Sequence, residues 1–399
     1  MRTLFIYLFI LFAVIACKEI YESPVKAAAT GYLVVEGVIN SGPGATTITL
    51  SRTTSLDNRT IQYETGAAVS IEGEDNTTRV LNSSSEGRYD GVDLNLNNAT
   101  KYRLKIRTSD AKEYVSDFTA VRNNPPIDSI SWKRENSGIQ ENGVQFYVST
   151  HDPQNNTRYY QWEYVETWEY HAVYQSRVKY QIGSLPSGEK RYKAVYYSTR
   201  QNEYDSSLYY CWQNFASTNL NIGSSAKLSN DQITQQLVFV PKASEKISVL
   251  YSVNVRQYSW SKEGYEFLER MKKNTEQTGS VFDAQPSAIN GNIHCTTDPT
   301  EPVIGFVTIC PIQEKRVFLE NRALLPGWGY QPLACTQDTI KNISDTIIAY
   351  GLGKIPTNVP DCGMAICPTE ITLFMAAQPA CVDCALNGGT NTKPNFWPW

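Results

Sequence analysis

Residues 101–108 read KYRLKIRT and show the cleanest period-two pattern in the chain. The apolar side chains of Tyr102, Leu104 and Ile106 alternate with basic side chains. Successive side chains of a β-strand point to opposite faces of the sheet, so this alternation puts one face on a core and the other in water. The segment is therefore predicted to be a half-buried strand, and similar segments must supply the sheet around it.

Several such segments precede and follow it. They read GYLVVEGVIN, TTITLSRT, AAVSIEGE and EYVSDFTAV, and turns rich in Gly, Asn and Ser separate them. Roughly seven short strands with turn signals between them are typical of an immunoglobulin-like β-sandwich. We predict such a domain over residues 31–124.

A proline pair interrupts the pattern at Asn123-Asn124-Pro125-Pro126. Proline lacks the N–H that a sheet ladder needs, so a domain boundary is expected here. Strand-like segments resume with many aromatic residues and predict a second sandwich over residues 125–260. The mostly polar stretch from Gly183 to Ser207 is expected to be a long insertion or loop.

The last part, residues 261–399, is predicted to combine one helix, a strand pair and an irregular Cys-rich region. Ser261 can cap the helix and Gly279 can end it. Tyr265, Leu268 and Met271 give the helix an apolar stripe. The segments GNIHC and VIGFVTIC follow as the two predicted strands.

The chain opens with Arg2 and an apolar run from Leu4 to Ala16. A membrane-spanning helix needs about 20 residues, so this shorter run is typical of a signal peptide, assigned to residues 1–16. The run ends Val14-Ile15-Ala16-Cys17, which resembles the lipobox of bacterial lipoproteins. That resemblance implies cleavage before Cys17 and acylation of Cys17. Residues 17–30 are predicted to be a tether.

Eight cysteines follow, all in the second half of the chain, and an even number in an exported chain indicates disulfides. The candidates are Cys211, Cys295, Cys310, Cys335, Cys362, Cys367, Cys381 and Cys384. The sequence does not fix their pairing. Cys295 and Cys310 could bridge the predicted strand pair.

The motif Cys381-Val382-Asp383-Cys384 admits three interpretations: a zinc knuckle, a redox centre or oxidised structural cysteines. In an exported chain we favour the last and expect no metal and no cofactor. Partners elsewhere, such as Cys362 or Cys367, would close longer loops and stabilise more than a bond within the motif. Phe396, Trp397 and Trp399 can then hold the chain's end against the body.

Aromatic residues crowd the segment YYQWEYVETWEYHAVY. The possible binding aromatics are Tyr160, Trp162, Tyr164 and Trp168. One interpretation is a sandwich core with cross-strand aromatic pairs, and the other is an exposed surface that contacts a glycan, a peptide or a partner protein.

Little in the sequence indicates catalysis. The three histidines, His151, His171 and His294, stand outside any recognisable nucleophile or metal motif. We expect no enzyme, although a hydrolase would be conceivable if a cleft gathered His151 or His171 with a carboxylate. The net charge of −4 argues against a nucleic-acid partner.

Three tripeptides, each Asp-Ser-Ile or Asp-Thr-Ile, resemble the short O-glycosylation motif of exported Bacteroidota proteins. They place possible acceptors at Ser129, Thr339 and Thr346.

Together these features resemble a family of Bacteroidota outer-membrane lipoproteins known only as a domain of unknown function, family number 4249. The residues that carry the resemblance are the lipobox Cys17, Leu33-Val34-Val35-Glu36-Gly37, Tyr210-Cys211-Trp212, Gly279-Ser280-Val281-Phe282-Asp283, Gln285-Pro286-Ser287, Gly291-Asn292-Ile293, Cys381-Val382-Asp383-Cys384, Gly388-Gly389-Thr390-Asn391, Lys393-Pro394 and Phe396-Trp397. The resemblance implies a lipid-anchored outer-membrane protein that assists a TonB-dependent receptor in ligand capture or transport.

Two alternatives remain open at this stage, a structural or adhesive envelope lipoprotein and, less favoured, a surface hydrolase. The side of the membrane is also open. Surface-exposed relatives often carry several acidic residues after the acylated cysteine, whereas here only Lys18-Glu19 and Glu22 follow it closely.

Overall fold

A computed structural model describes residues 31–55, 58, 60–135, 142–198, 203–276, 291–324, 326–329, 335–360 and 371–398. The predicted signal peptide, Cys17 and the tether therefore lie outside the described residues, as do Cys362, Cys367 and Trp399.

The described part of the chain is mostly β, as the alternating segments predict. The strands are β1 Leu33–Asn40, β2 Ala45–Arg52, β3 Gln62–Tyr63, β4 Ala68–Gly73, β5 Thr78–Ser85, β6 Arg88–Val92, β7 Lys101–Arg107, β8 Glu113–Ser116, β9 Thr119–Ala120, β10 Ile127–Glu135, β11 Gly143–Asp152, β12 Tyr159–His171, β13 Val178–Ser184, β14 Lys190–Tyr196, β15 Tyr210–Ala216, β16 Asn221–Ser224, β17 Asp231–Pro241, β18 Leu250–Ser259, β19 Ile293–Cys295, β20 Ile309–Cys310, β21 Gln313–Glu320, β22 Gln337–Ile340, β23 Ile355–Pro356 and β24 Phe374–Ala377. The helices are α1 Ser206–Tyr209, α2 Lys262–Glu276 and α3 Ile343–Gly351.

Strands β1 to β9, β19 and β20 form the first lobe, an 11-stranded sheet. Its main path runs β19-β8-β7-β4-β5-β6-β2-β1-β20, with β3 and β9 attached at the side. The pattern that predicted β7 is confirmed, because Tyr102, Leu104 and Ile106 are buried in the lobe's core. On the opposite face, Arg103 pairs with Glu72 at 2.7 Å.

Strands β19 and β20 correct the expected strand pair. They lie at opposite ends of the sheet path, where β19 pairs with β8 and β20 pairs with β1. Cys295 and Cys310 therefore do not face each other across a ladder, and both are free and buried. The proposed bond between them is wrong, because each strand is held by a different neighbour far away in sequence.

The second lobe is a sandwich of two sheets. One sheet has the order β10-β11-β17, and the other has the order β15-β12-β18-β21 with β16 also paired to β12. Their inner faces share one apolar cluster, in which the rings of Phe146 and Tyr251 lie 5.2 Å apart. Strand β21 lies outside the predicted range of this sandwich but completes its larger sheet.

The predicted boundary at residues 123–126 lies between β9 of the first lobe and β10 of the second lobe. Asn124 is buried there, and its Nδ2 donates to the carbonyls of Gln257 and Pro311, both at 2.8 Å. The two carbonyls belong to the second lobe and to the link between β20 and β21. The side-chain amide of Asn124 therefore links the segments at which the chain crosses from one lobe to the other.

The C-terminal lobe consists of the β13–β14 hairpin, strands β22 to β24 and helix α3, which share a small apolar cluster. Much of the stretch expected to be a loop is this hairpin. Its turn closes where Leu185 and Glu189 bond through backbone at 2.8 Å and Gly188 takes a positive φ of 85°. Strand β14 does alternate, with Ala194 in the cluster and Arg191 and Lys193 on the other face, but the polar turn before it gives the stretch a loop-like composition.

Helix α2 confirms the predicted helix. The Oγ of Ser261 accepts a hydrogen bond from the N–H of Gly264 at 3.0 Å, and the apolar stripe packs in a cluster between the lobes. Within the described part of the chain, no helix is both long and apolar enough to cross a membrane.

Candidate functional site

A cleft of about 620 Å³ lies where the first lobe, the second lobe and helix α2 meet. This volume falls in the range of small-molecule sites, and such sites occur preferentially between domains. Its walls come from β1 and β2, from β12, β18 and β21, from α2, and from the loop before β20.

The first-lobe wall depends on close backbone approach. The Cβ of any other residue at Gly37 would lie 2.3 Å from the carbonyl oxygen of Thr47 on β2. At Gly305 a Cβ would lie 2.5 Å from the carbonyl oxygen of Val35. Two glycines therefore let β2 and the loop before β20 close on either side of β1. Neighbouring Ile304 accepts the backbone hydrogen bond of Val35 at 2.8 Å.

The second-lobe wall follows from the period-two pattern of β12. Tyr160 and Trp162 point into the sandwich core, so Gln161 and Glu163 project from the opposite face toward the cleft. The hydroxyl of Tyr258 on β18 donates to Glu163 Oε2 at 2.8 Å. Burial, together with the Glu163 carboxylate, raises the pKa of Tyr258 well above its ordinary value. Tyr258 therefore remains a protonated donor.

Two further charges on the second-lobe wall compensate each other. Arg256 Nε lies 3.3 Å from Glu314 Oε2, and Asn254 Nδ2 also donates to Glu314. Arg88 and Glu36 line the first-lobe wall. The cleft therefore carries three carboxylates and two guanidinium groups along its walls, and it has no excess of positive charge for an anionic ligand.

The base of the cleft is apolar and aromatic. Trp260 and Phe306 lie 6.0 Å apart, and Leu268 and Met271 of the predicted helix stripe line the same space. An apolar base with a few polar groups around it is typical of a pocket that binds a small ligand. The cleft therefore offers a ligand apolar contact area at its base and hydrogen-bonding groups on its walls.

Two polar atoms beside the cleft lack partners. Gln161 Oε1 and Trp260 Nε1 are enclosed and make no hydrogen bond, although both residues line the cleft. Leaving such a group unpaired costs about 1–3 kcal/mol. A ligand would reach these two atoms only if the walls moved apart. The cleft would then offer one more acceptor, Gln161 Oε1, and one more donor, Trp260 Nε1.

The binding aromatics suggested by the sequence lie elsewhere. Tyr160 and Trp162 are completely buried, and Tyr164 and Trp168 are at least nine-tenths buried. All four belong to the core of the second lobe, and the Tyr160 hydroxyl bonds to the buried carboxylate of Asp231. The exposed-surface interpretation is therefore wrong, and the core interpretation is confirmed. The even-numbered spacing of the four aromatics along β12 puts them all on the one face that packs in the sandwich core.

The three histidines are dispersed. His151 pairs with Asp128 at 2.7 Å on the surface, and His294 pairs with Asp117 at 2.8 Å. The Asp128 carboxylate raises the pKa of His151. Both pairs are exposed and lie in different lobes, since His151 is on β11 and His294 is on β19.

His171 is different, because it lines a second cleft of about 450 Å³ beside Glu245. Its Nε2 lies 2.8 Å from Glu169, whose other oxygen accepts from Trp397. Burial raises the pKa of Glu245. The His171–Glu169 pair is therefore part of the attachment of the chain's end, which gives both groups a structural role.

Four of the cysteine candidates form two disulfides, Cys211–Cys384 and Cys335–Cys381. Cys381 and Cys384 are oxidised and bond outside their own motif, as expected. Their suggested partners were wrong, because Cys211 and Cys335 hold them. Burial raises the pKa of the free thiol of Cys310 to about 11.

The glycosylation candidates divide by exposure. Ser129 on β10 and Thr339 on β22 are exposed. Thr346 is buried in α3, and its Oγ1 donates to the carbonyl of Asn342 at 2.9 Å. Thr346 is therefore not an accessible acceptor. The described residues contain no group of His, Cys, Asp and Glu side chains able to hold a metal ion.

The fold and the cleft define a mostly β protein of three lobes with a pocket at the junction of two of them. The chain belongs to the family described as Domain of unknown function (DUF4249), whose model matches residues 18–316. The match covers the described first lobe and most of the second lobe and ends within β21, so the Cys381–Cys384 motif lies outside it. No curated protein matches the chain.

Proposed function

We propose that this protein is a lipid-anchored envelope protein that binds a small ligand in the cleft between its first two lobes. We further propose that it works beside a TonB-dependent receptor in ligand capture or transport in the outer membrane. The observation that carries the binding role is the cleft itself, a preformed space of about 620 Å³ with an apolar base and polar walls.

The anchoring and the receptor rest on different support. Val14-Ile15-Ala16-Cys17 has the form of a lipobox, and lipid attachment at Cys17 would hold the body at a membrane. The association with a receptor is proposed from the resemblance to Bacteroidota lipoproteins. A structural or adhesive role would require no cleft.

We propose binding without catalysis. Glu163 accepts a hydrogen bond from Tyr258, and Glu314 pairs with Arg256, so these two cleft carboxylates act as hydrogen-bond acceptors in a fixed network. None of the three histidines lines this cleft. A retained ligand would therefore leave the cleft chemically unchanged.

A space-filling substitution tests the binding role. Thr49 lines the cleft on β2, and Thr49→Trp places a large ring in it. Thr234→Trp, on the exposed face of β17, is the matched control. In a thermal-shift screen of short oligosaccharides and short peptides, a ligand should stabilise the wild type and the control. At a hundredfold excess over Kd the stabilisation should be about 2.7 kcal/mol.

The Thr49→Trp variant should lose this stabilisation while keeping its own unfolding temperature close to that of the control. An equal response of all three proteins to a ligand would contradict binding in this cleft, and no response to any compound would favour the structural role.

Co-purification tests the receptor. Membranes that contain the full chain are dissolved in a mild detergent, the protein is captured, and bound proteins are identified by mass spectrometry. A TonB-dependent receptor should be recovered with the wild type and lost with Cys17→Ala, which removes the acylation site. Repeated recovery of the wild type alone would contradict the association.

A further inference from the structure

Helix α3 has its apolar side turned toward solvent. Ile347 and Ile348 are 47% and 58% exposed, and Ile343 and Leu352 at its two ends are 60% and 62% exposed. The inward positions are Thr346 and Ala349, which are small and buried. A helix on the surface of a soluble body normally shows the reverse pattern. Large aliphatic side chains that are this exposed indicate a surface that contacts a partner protein or a membrane.

The aliphatic surface continues onto the β13–β14 hairpin. Tyr350 of α3 lies 5.0 Å from Tyr192 and 5.3 Å from Tyr180, ring to ring. Tyr192 pairs with Ile182 across the hairpin, so both side chains lie on the face turned to α3. Ile182 is itself 44% exposed. We call the residues Ile182, Ile343, Ile347, Ile348 and Leu352 the aliphatic patch.

The hairpin beside the patch is strongly basic. Residues 178–196 hold four basic side chains and one acidic side chain, which gives a net charge of +3 in a chain of net charge −4. Lys190, Arg191 and Lys193 of β14 are all exposed. Lys190 shares the face of Tyr192, and Arg191 and Lys193 project from the other face of the same strand.

The acidic groups of the neighbouring elements are engaged locally. Asp345 of α3 accepts a hydrogen bond from the backbone N–H of Lys341 at 3.1 Å. Asp338 on β22 forms an ion pair with Lys354. Asp345 keeps its negative charge, but the hairpin's net charge of +3 exceeds it, so an approaching partner meets a net positive charge beside the patch.

We propose that the aliphatic patch and the basic hairpin together dock on a lipid surface that carries anionic headgroups. Exposed aliphatic side chains beside lysine and arginine are the composition of segments that lie in the interface of a membrane. The five side chains of the aliphatic patch carry no hydrogen-bonding groups, whereas protein interfaces rely on Trp, Tyr and Arg anchors. Two copies of this surface would bring together hairpins of equal charge.

This inference is independent of the cleft and of the proposed acylation at Cys17. It assigns the C-terminal lobe a membrane-facing side, which would orient the body at a bilayer. An anchor attached through a tether holds a protein near a membrane but does not set its orientation.

Position-specific photocrosslinking tests the docking. The full chain is produced with a diazirine amino acid in place of Ile348, or in place of Leu228 as the control. Leu228 is 53% exposed and lies between β16 and β17 of the second lobe, outside the C-terminal lobe that carries the patch. Each protein is irradiated with phosphatidylglycerol vesicles or with phosphatidylcholine vesicles, and the adducts are identified by intact mass. A non-reducing peptide map that finds Cys335–Cys381 shows that the lobe is folded.

We expect lipid adducts at position 348 with phosphatidylglycerol at about tenfold the yield at position 228, and a clear loss of yield with phosphatidylcholine. Lys190→Glu with Lys193→Glu should lower the yield at position 348 severalfold, and raising the salt concentration should do the same. Equal yields at the two positions, or no lipid adduct at position 348, would overturn the proposal. Crosslinks from position 348 to a protein in envelope membranes, without lipid adducts, would assign the patch to a protein partner instead.

Discussion

The first lobe and the C-terminal lobe reach stability by different routes. The first lobe buries a cluster of twenty side chains, and none of its described residues takes part in a disulfide. The C-terminal lobe shares a cluster of only seven buried side chains. Cys335–Cys381 joins the segments before β22 and after β24, Cys211–Cys384 ties the segment after β24 to β15 of the second lobe, and the chain's end is held by the buried ring of Trp397.

The difference follows from the amount of apolar surface that each lobe can bury. An 11-stranded sheet encloses a core large enough to offset the conformational entropy of its strands. A two-stranded hairpin, a three-stranded sheet and one short helix do not, and small cores are commonly supported by cross-links. Removing the cross-links should therefore affect the two lobes unequally.

The largest effect is expected from Cys211→Ala with Cys384→Ala. This bond closes a loop between residues 173 positions apart, and the loop-closure model assigns such a bond about 5 kcal/mol. Urea unfolding followed by near-UV circular dichroism should show the C-terminal lobe unfolding first. Protection of first-lobe amides from hydrogen exchange, for example in β7, should be almost unchanged. A single cooperative loss of both lobes would contradict the separation.

A slightly smaller effect is expected from Cys335→Ala with Cys381→Ala. This bond spans 46 positions, and the same model gives about 4 kcal/mol, because loop entropy grows only with the logarithm of length. The two double variants measured side by side in urea should rank in this order. The reverse order would show that local packing at Cys381 outweighs loop closure.

The tail should contribute next. Trp397 is buried, its Nε1 donates to Glu169 Oε2 at 2.7 Å, and its ring meets Phe318 edge-on at 5.6 Å. Trp397→Ala should cost about 3 kcal/mol in unfolding free energy, because it removes a large buried ring and leaves a buried carboxylate without this donor.

The neighbouring Phe396 is 43% exposed and stacks on Arg316, so Phe396→Ala is the matched control and should cost under about 1 kcal/mol. Equal losses for the two variants would show that the tail is held by general contact area and not by the Trp397 bond to Glu169.

The same contrast explains which parts of the fold could be predicted from the sequence. Strand β7 alternates and is half-buried, and helix α2 carries an apolar stripe with a serine cap, so local patterns were sufficient for both. Helix α3 was missed because its outward isoleucines break the expected pattern. A local signal was present, since Asn342 accepts from the backbone N–H of Asp345 at 2.8 Å as an N-cap.

The pairing of strands that are far apart in the chain could not be predicted from the sequence. Residues 293–295 pair with residues 114–116 of β8, and residues 309–310 pair with residues 39–40 of β1, both far away in sequence. Nothing local distinguishes these partners from each other. The cleft was hidden for the same reason, because the pattern of β12 sets Gln161 opposite Tyr160 but does not show that α2 and β1 cover that face.

The smallest effect concerns the thiol of Cys310, where the first lobe meets α2. Burial raises its pKa to about 11 from an ordinary value near 9, so the folded thiol keeps its proton to a higher pH than the unfolded thiol. Its contribution to stability is therefore complete below about pH 8.5 and is lost as the pH rises toward 11, by up to about 2.5 kcal/mol.

This loss should appear as a narrowing gap between the wild type and Cys310→Ala in urea unfolding from pH 8 to pH 11. Leu268→Ala, in the same cluster, removes apolar contacts without a titrating group, so its difference from the wild type should stay constant over that range. A gap that stays constant for Cys310→Ala as well would mean that the thiol titrates alike in both states. Cys310 would then behave as a solvent-exposed thiol, and its titration would not lower the free energy of unfolding at alkaline pH. The disulfide-bonded cysteines have no thiol to titrate and give no such pH dependence.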